Sequence, residues 1–430
     1  MHRPTPNLRL LRGVCSLLLL AGCAPSAKAD RSGWRPAAWV QLTGQGAQLR
    51  IAAVDGLCPA AIVDGAPRAM ALRREADERF PTVCELTLPP DVRTLSVAGQ
   101  VLPAPVKAPQ RIVFLGDSGC RIQGVLAQSC NDAKAWPFAE VARLAAAKKP
   151  DLVIHVGDYY YRENPCPPLN LACLGSPYGD HWATWQAEFF QPATPLLAAA
   201  PWVFVRGNHE SCDRGGEGWY ALLDAAAKPL ACAVQTAPFA VDIGGLNLYV
   251  LDSANTVDRS APPWNVANFA QQVEAMRPAL DQGKGWIVTH RPIWGLVPVA
   301  RAPPFNPVEI GINATEQAAV RGKPMAGVQM VVSGHIHDFA AMSFGPDRPA
   351  QLVVGTGGDV GEPADIPRIR SGPRRSDGIA ADFLTFDRFG YLVLDRQGED
   401  WSGAFHDAED RIVATCRLHE RVLKCVGADA

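Results

Sequence analysis

From Arg111 onward, short unbroken apolar runs (RIVFL, LVIHV, WVFV, WIV, MVV) alternate with longer segments such as FAEVARLAAAKK and WATWQAEFFQPATPLLAAA. Runs of that length fit strands buried on both faces, and the segments between them fit helices, so residues 111–425 are expected to form one α/β domain. The chain before it reads differently. Between Trp34 and Val101, alternating runs (AWVQL, AQLRIAAV, TVCELTL, RTLSVAG) are broken by Gly and Pro, which predicts a small β domain over residues 34–101. Pro-rich residues 102–110 then read as a linker. The closing stretch, ADFLTFDRFGYLVLDRQGEDWSGAFHDAEDRIVATCRL, returns to strand–turn–strand and is expected to finish the edge of the same sheet system.

The first residues have another pattern. Arg3, Arg9 and Arg12 precede an apolar stretch from Val14 to Leu20, far short of the roughly 20 residues a membrane-spanning helix needs. Leu20-Ala21-Gly22-Cys23 follows and resembles a bacterial lipobox. Residues 1–23 are therefore expected to be a lipoprotein signal with Cys23 lipidated, and residues 24–33 a tether; an ordinary secretory signal cleaved near Ala27 or Ala29 is the alternative. Both place the protein outside the cytoplasm, periplasmic or at the cell surface, with membrane contact through the anchor only.

Besides Cys15 and Cys23 the chain has ten cysteines. An even number in an exported chain points to disulfides, and neighbours fall into the couples 58 with 84, 120 with 130, 166 with 173, 212 with 232 and 416 with 425. No CxxC doublet suggests a thiolate metal site. Composition narrows the partners further. With 48% hydrophobic residues, 20% charged and a net charge of −2, the chain can bury a large core and has no basic field for nucleic acid.

The informative feature is where the buried runs stop. They end in Gly116-Asp117-Ser118-Gly119, in Gly157-Asp158 with Tyr161 three residues on, in Gly207-Asn208-His209-Glu210, in His290, and in Gly334-His335-Ile336-His337. In an open α/β sheet the C-terminal strand ends form the ligand crevice, so groups far apart in sequence converge there. Two Asp, an Asn, three His and a Tyr supply oxygen and imidazole ligands without thiolate, a set suited to two hard or borderline ions such as iron, manganese or zinc. Each piece alone is weak: Gly-Asp after a strand is common turn chemistry, and His155 within its apolar run reads as core.

Together, the order GDxG, GDxxY, GNHE, xxxH, GHxH resembles the five-block signature of purple acid phosphatases within the calcineurin-like metallophosphoesterases. The likeness runs from Arg111 to the GTGGD stretch at Gly355–Asp359. It implies a four-layer αββα sandwich, with Asp117, Tyr161 and His337 on one metal, Asn208, His290 and His335 on the other, and Asp158 bridging. It implies a phosphatase acting on phosphorylated small molecules, phosphate monoesters above all, by hydroxide attack, with acid phosphatase activity. A phosphodiesterase or nucleotide-cleaving enzyme on the same two metals is the alternative, and a non-catalytic surface protein the reading from another class.

His209 is then placed as general acid and Glu210 as the group that orients it. Arg291 is a candidate phosphate ligand with a salt bridge as its alternative. His181 is a candidate for the site mouth, while Tyr159, Tyr160, Trp182, Trp185 and Trp294 read as packing, and His406 and His419 as structural or exposed. Gly119 stands where related enzymes commonly offer a histidine, as Asp-x-His. Tyr161 is expected to fill that role as a phenolate on Fe(III), with Fe(II), Zn or Mn as the second ion.

Overall fold

Two large sheets carry the apolar runs. In the computed structural model, which describes residues 31–124, 126–226, 231–299, 308–323, 325–361 and 370–428, the first sheet has eleven strands and the second eight. The expected leader and Cys23 lie outside the described residues.

The parallel strands Arg111–Leu115, Leu152–His155 and Trp202–Phe204 sit at the middle of the first sheet. Asn247–Val250, Gly285–Val288, Val328–Ser333 and Ala350–Val354 run parallel in the second. Successive side chains on a strand point to opposite faces, and here both faces are covered. Ile112 and Phe114 point between the sheets to meet Leu248, Trp286, Val288, Met330 and Val332. Val113 and Leu115 point the other way, into the layer containing helices Phe138–Ala147 and Gln191–Leu197. On the far side, helices Pro263–Gln282 and Ala314–Val320 cover the second sheet through Phe269, Val273, Ala319 and Val320. The result is the expected αββα order, and double-sided burial is why the strand runs are apolar without alternation.

The boundary placed at residues 102–110 does not interrupt this architecture. Strand Ala37–Thr43 pairs in parallel with Trp202–Phe204 at Gln41 and Trp202, and Gly46–Ala53, Thr82–Thr87 and Ala71–Arg74 continue the same sheet beyond it. Trp39, fully buried, packs with its ring centroid 4.9 Å from that of Phe190 in the helical layer, so the N-terminal strands share the main core. Only Ala60–Val63, Ala66–Ala69, Leu95–Val97 and Gln100–Leu102 form a separate four-stranded sheet. Buried Arg73 joins the regions by donating to the carbonyls of Tyr220, Ala221 and Asp224.

All five expected cysteine couples are disulfides. Such a set belongs to a chain that matures in an oxidising, extracytoplasmic compartment. Among the described residues no helix is long and apolar enough to cross a membrane.

Candidate metal centre

The five loops meet at one end of the two sheets. Asp117, Asp158 and His335 all adopt left-handed backbone, with φ of 54°, 57° and 69°. Non-glycine residues there cost about 1–3 kcal/mol each and are held only where surrounding structure over-determines them. Here the turns are locked to one another: Asp117 N donates to Gly157 O (2.9 Å), Ser118 N to Asp158 O (3.0 Å), and Asp359 N to Asp117 O (2.9 Å). Gly207 shows how close the approach is, since a Cβ there would lie 2.0 Å from Asp158 Oδ1.

Tyr161 is fully buried, and its hydroxyl oxygen lies 3.1 Å from Asp117 Oδ1, 2.9 Å from Asp158 Oδ2 and 3.0 Å from His337 Nε2. His337 donates Nδ1–H to Val360 O (2.8 Å), which turns the Nε2 lone pair toward this group. With His337 neutral, four electron-rich atoms thus converge with a single hydroxyl hydrogen among them, an arrangement that calls for a further positive charge, a cation or a proton on the ring. The second cluster has the same character. His290 donates Nδ1–H to Val156 O (2.8 Å), so its Nε2 faces Asn208 Oδ1 at 3.0 Å and Asp158 Oδ2 at 3.2 Å, lone pair against lone pair when the ring is neutral. Asp117, Asp158 and His337 form one set, and Asp158, His290 and His335 another, whose donor atoms lie within 4.8 Å of one another. Asp158 belongs to both, and the residues present fit two ions sharing it.

The sequence model of the calcineurin-like phosphoesterase family matches residues 110–339. The chain belongs to that family. No curated protein sequence shows a significant match. Among solved structures it is similar to the purple acid phosphatase PPD1 from yellow lupin (Lupinus luteus) seeds, with a TM-score of 0.55 over 91% of this chain and 74% of that one at 12% identity. It is also similar to PhoD, with a TM-score of 0.54 over 91% of each chain at 14% identity. At these identities the likeness is one of fold.

In this calcineurin-like phosphoesterase the electrostatics match a site built for cations. Burial opposes charge on His337, yet Asp359 and Asp117 hold its ring up at about 10. Burial likewise opposes, and Asp158 overcomes, so that His290 rises to about 9. Those protons stand where positive charge is wanted. Burial and then the carboxylates of Asp158, Asp117 and Asp359 push the Tyr161 phenol well above its ordinary value, so a phenolate there needs a strongly charged neighbour. His335 differs: burial and Arg291 take it down to about 3 in spite of Asp258 at 3.2 Å, because the carboxylate is already engaged by Arg291.

Three expectations need correcting. Glu210 does not reach the His209 ring; it is fully buried, and its carboxylate accepts backbone N–H groups from Asp158 (3.0 Å), Tyr159 (2.8 Å), Tyr160 (3.2 Å) and Gly207 (2.9 Å). The carboxylate beside His209 is Glu163, 2.8 Å from Nδ1. Arg291 does not present an open fork: it is ion-paired to Asp258 and donates Nη1–H to His335 Nε2 (2.8 Å), as its salt-bridge alternative held. His181 starts the helix Trp182–Trp185 and is not among the described residues lining the cleft. The packing assignments match the structure: Tyr159 stacks on His155 at 4.2 Å, Tyr160 stacks on Trp185 at 6.1 Å, and His155 is fully buried.

The cleft over the centre has a volume of about 380 Å³ and is lined by Asp158, Asn208, His209, His335 and His337 together with Arg121, Arg214 and Arg259. Sequence reasoning missed Glu163, Arg214, Asp258 and Glu188. Glu163 follows Tyr161 by two residues and carried a signal by position. Glu188 carried none: a π-helical turn, Gln186–Phe190, aims its carboxylate at the N–H groups of Cys120 (2.7 Å) and Tyr161 (2.9 Å). The structure also gives Gly119 a reason. A Cβ there would lie 2.5 Å from the Tyr161 ring and 2.7 Å from Glu188 Oε1, so a side chain at 119 and this tyrosine exclude each other.

Proposed function

We propose that this metallophosphoesterase is an exported, Cys23-lipidated acid phosphatase that hydrolyses phosphate monoesters, with Fe(III) in the Tyr161 half of its centre and Fe(II), Zn or Mn in the Asn208 half. The observation that carries the reading is the Tyr161 hydroxyl packed among Asp117, Asp158 and His337. Asp117, Tyr161, His337 and Asp158 would hold one ion and Asp158, Asn208, His290 and His335 the other. Two such cations offset phosphate charge and bring the pKa of water into the working range.

The chain's own residues then handle substrate and proton. His209 N donates to Asp158 Oδ1 (2.9 Å), which ties the GNHE turn to the bridging carboxylate. The His209 ring packs on Tyr161 at 3.8 Å between centroids, with Nδ1 turned to Glu163 and Nε2 accepting from Arg214 Nη2 at 2.8 Å. Burial lowers its pKa against the pull of Asp158 and Glu163, which favours the neutral ring. An incoming phosphate dianion favours the imidazolium and draws the Arg214 donors to its oxygens. With Nδ1–H held by Glu163, the Nε2 proton is then the one passed to the leaving alkoxide. The test is metal analysis with an absorption spectrum of the purified protein, beside turnover of a monoester, a diester and a nucleotide panel. Iron, a visible charge-transfer band and preference for the monoester are expected. A colourless, iron-free and fully active protein would overturn the Tyr161 assignment, and faster diester cleavage the substrate class.

A further inference from the structure

Residues 164–179, which follow the Tyr161 loop, contain no Asp, Glu, Lys, Arg or His, and neither do residues 122–131. Each loop is closed by its own disulfide, Cys166–Cys173 and Cys120–Cys130. The loops pack on each other through Cys120, Ile122, Cys130 and Cys173. Asn131 ties them further, its backbone N–H donating to Ala172 O (2.9 Å) and its side chain to the carbonyls of Leu171 (3.2 Å) and Leu174 (3.0 Å). This rigid pair nevertheless turns its apolar residues outward: Leu169 is 94% exposed, Leu171 76%, Leu174 59% and Leu126 59%. A folded surface that holds uncharged leucines in water is preorganised for an apolar partner.

The proposed anchor at Cys23 selects that partner. Arg31, where the described chain begins, is bonded to Asp77 O, and the turn after Asp77 accepts from Trp182 N through Arg79 O (2.7 Å). Trp182 follows the uncharged loop by three residues, so Arg31 is held on a segment that packs beside that loop's C-terminal end. Cys23 lies eight residues before Arg31, a reach of at most about 28 Å.

We propose that Leu126, Leu169, Leu171 and Leu174 of these two loops seat in the surface of a lipid bilayer, which places the mouth of the metal centre, lined by Gln123 of the first loop and by Arg121 just before it, at the membrane face. The partner rests on the lipid-anchored reading of Cys23, whereas the contact itself is made by the leucines. Because the loops carry no charge, the interaction ignores headgroup charge and salt, unlike one built on basic residues.

The experiment is flotation of the processed chain, residues 23–430 carrying Cys23→Ser, with phosphatidylcholine vesicles at low and high NaCl. It is compared with the same chain carrying Leu169→Ser, Leu171→Ser and Leu174→Ser, and with each single change. The unacylated chain is expected to float with vesicles equally at both salts. The triple variant should lose about fivefold or more of that fraction while keeping its five disulfides and its turnover of a small aryl phosphate. No flotation of the unacylated chain, equal flotation of the variants, or flotation abolished by salt would overturn the proposal. Self-association lost in the triple variant, in place of vesicle binding, would assign the loops to a second copy and overturn it too. Lipidation is read separately, from the mass of the mature N-terminal peptide of the native protein.

Discussion

The two halves of the centre share Asp158 but are built differently. Around Tyr161 only His337 meets the cleft: Asp117 and Tyr161 are fully buried, and behind them Glu188 holds the N–H groups of Cys120 and Tyr161. Around Asn208 two donors, Asn208 and His335, meet the cleft while His290 is buried, and His335 is braced by the Arg291–Asp258 pair. Negative charge is concentrated on the first half, with Asp117, Asp158 and Asp359 around one phenol. The difference is the one the proposed pair of ions requires: a fixed, highly charged ion in the Tyr161 half and an ion of lower charge in the other, with the His209 ring packed on Tyr161 beside both.

Removing the shared group has the largest expected effect. Asp158→Ala should abolish both turnover and binding of the two ions, since its carboxylate serves both clusters; a variant with one ion fully retained would break the bridge assignment. Tyr161→Phe comes next and separates the halves. It should erase the visible band and lower affinity for one ion by about 100-fold while the Asn208 half stays loaded, read by metal titration. Loss of both ions would show the halves to be one unit.

A smaller effect distinguishes proton delivery from metal holding. His209→Ala should slow esters with poor leaving groups by about 10²- to 10³-fold and those with good ones much less, and Glu163→Gln should follow the same pattern more weakly. Equal effects on both classes of ester would remove His209 from proton transfer.

The smallest concerns stability behind the Asn208 half. Glu316, fully buried beneath Thr256, has its carboxyl pushed up by burial to about 7 from 4.5. A raised carboxyl favours the folded state while protonated, so its contribution is whole below about pH 4.5 and fades as pH rises through 7. The loss is on the order of 3 kcal/mol across that window. Glu316→Gln should flatten that part of the stability profile in urea melts at pH 5 and pH 8 relative to the parent. An unchanged slope would place the titration elsewhere.

How much of this was legible depended on distance along the chain. The strands and their terminal Asp, Asn, His and Tyr residues could be read because burial on both faces makes an uninterrupted apolar run, and each polar payload follows its run directly. Cysteine couples could be read because each partner lies within 26 residues of the other. Glu210 misled for the opposite reason: adjacency to His209 suggested contact, yet a carboxylate in the interior of a turn finds backbone N–H groups before it finds a neighbouring ring.

The continuity of the N-terminal strands with the main sheet was also hidden, because a parallel pairing between Gln41 and Trp202 leaves no trace in local composition. By itself, then, the sequence determined the layered α/β architecture, the oxidising setting and the kinds of donor the centre would gather, all consequences of local patterning. Tertiary structure decided which carboxylate turns to His209, what Arg291 is bound to, why position 119 is glycine, and which loops leave leucines in solvent. Those outcomes depend on how side chains from separate elements share one volume, and spacing along the chain does not carry that information.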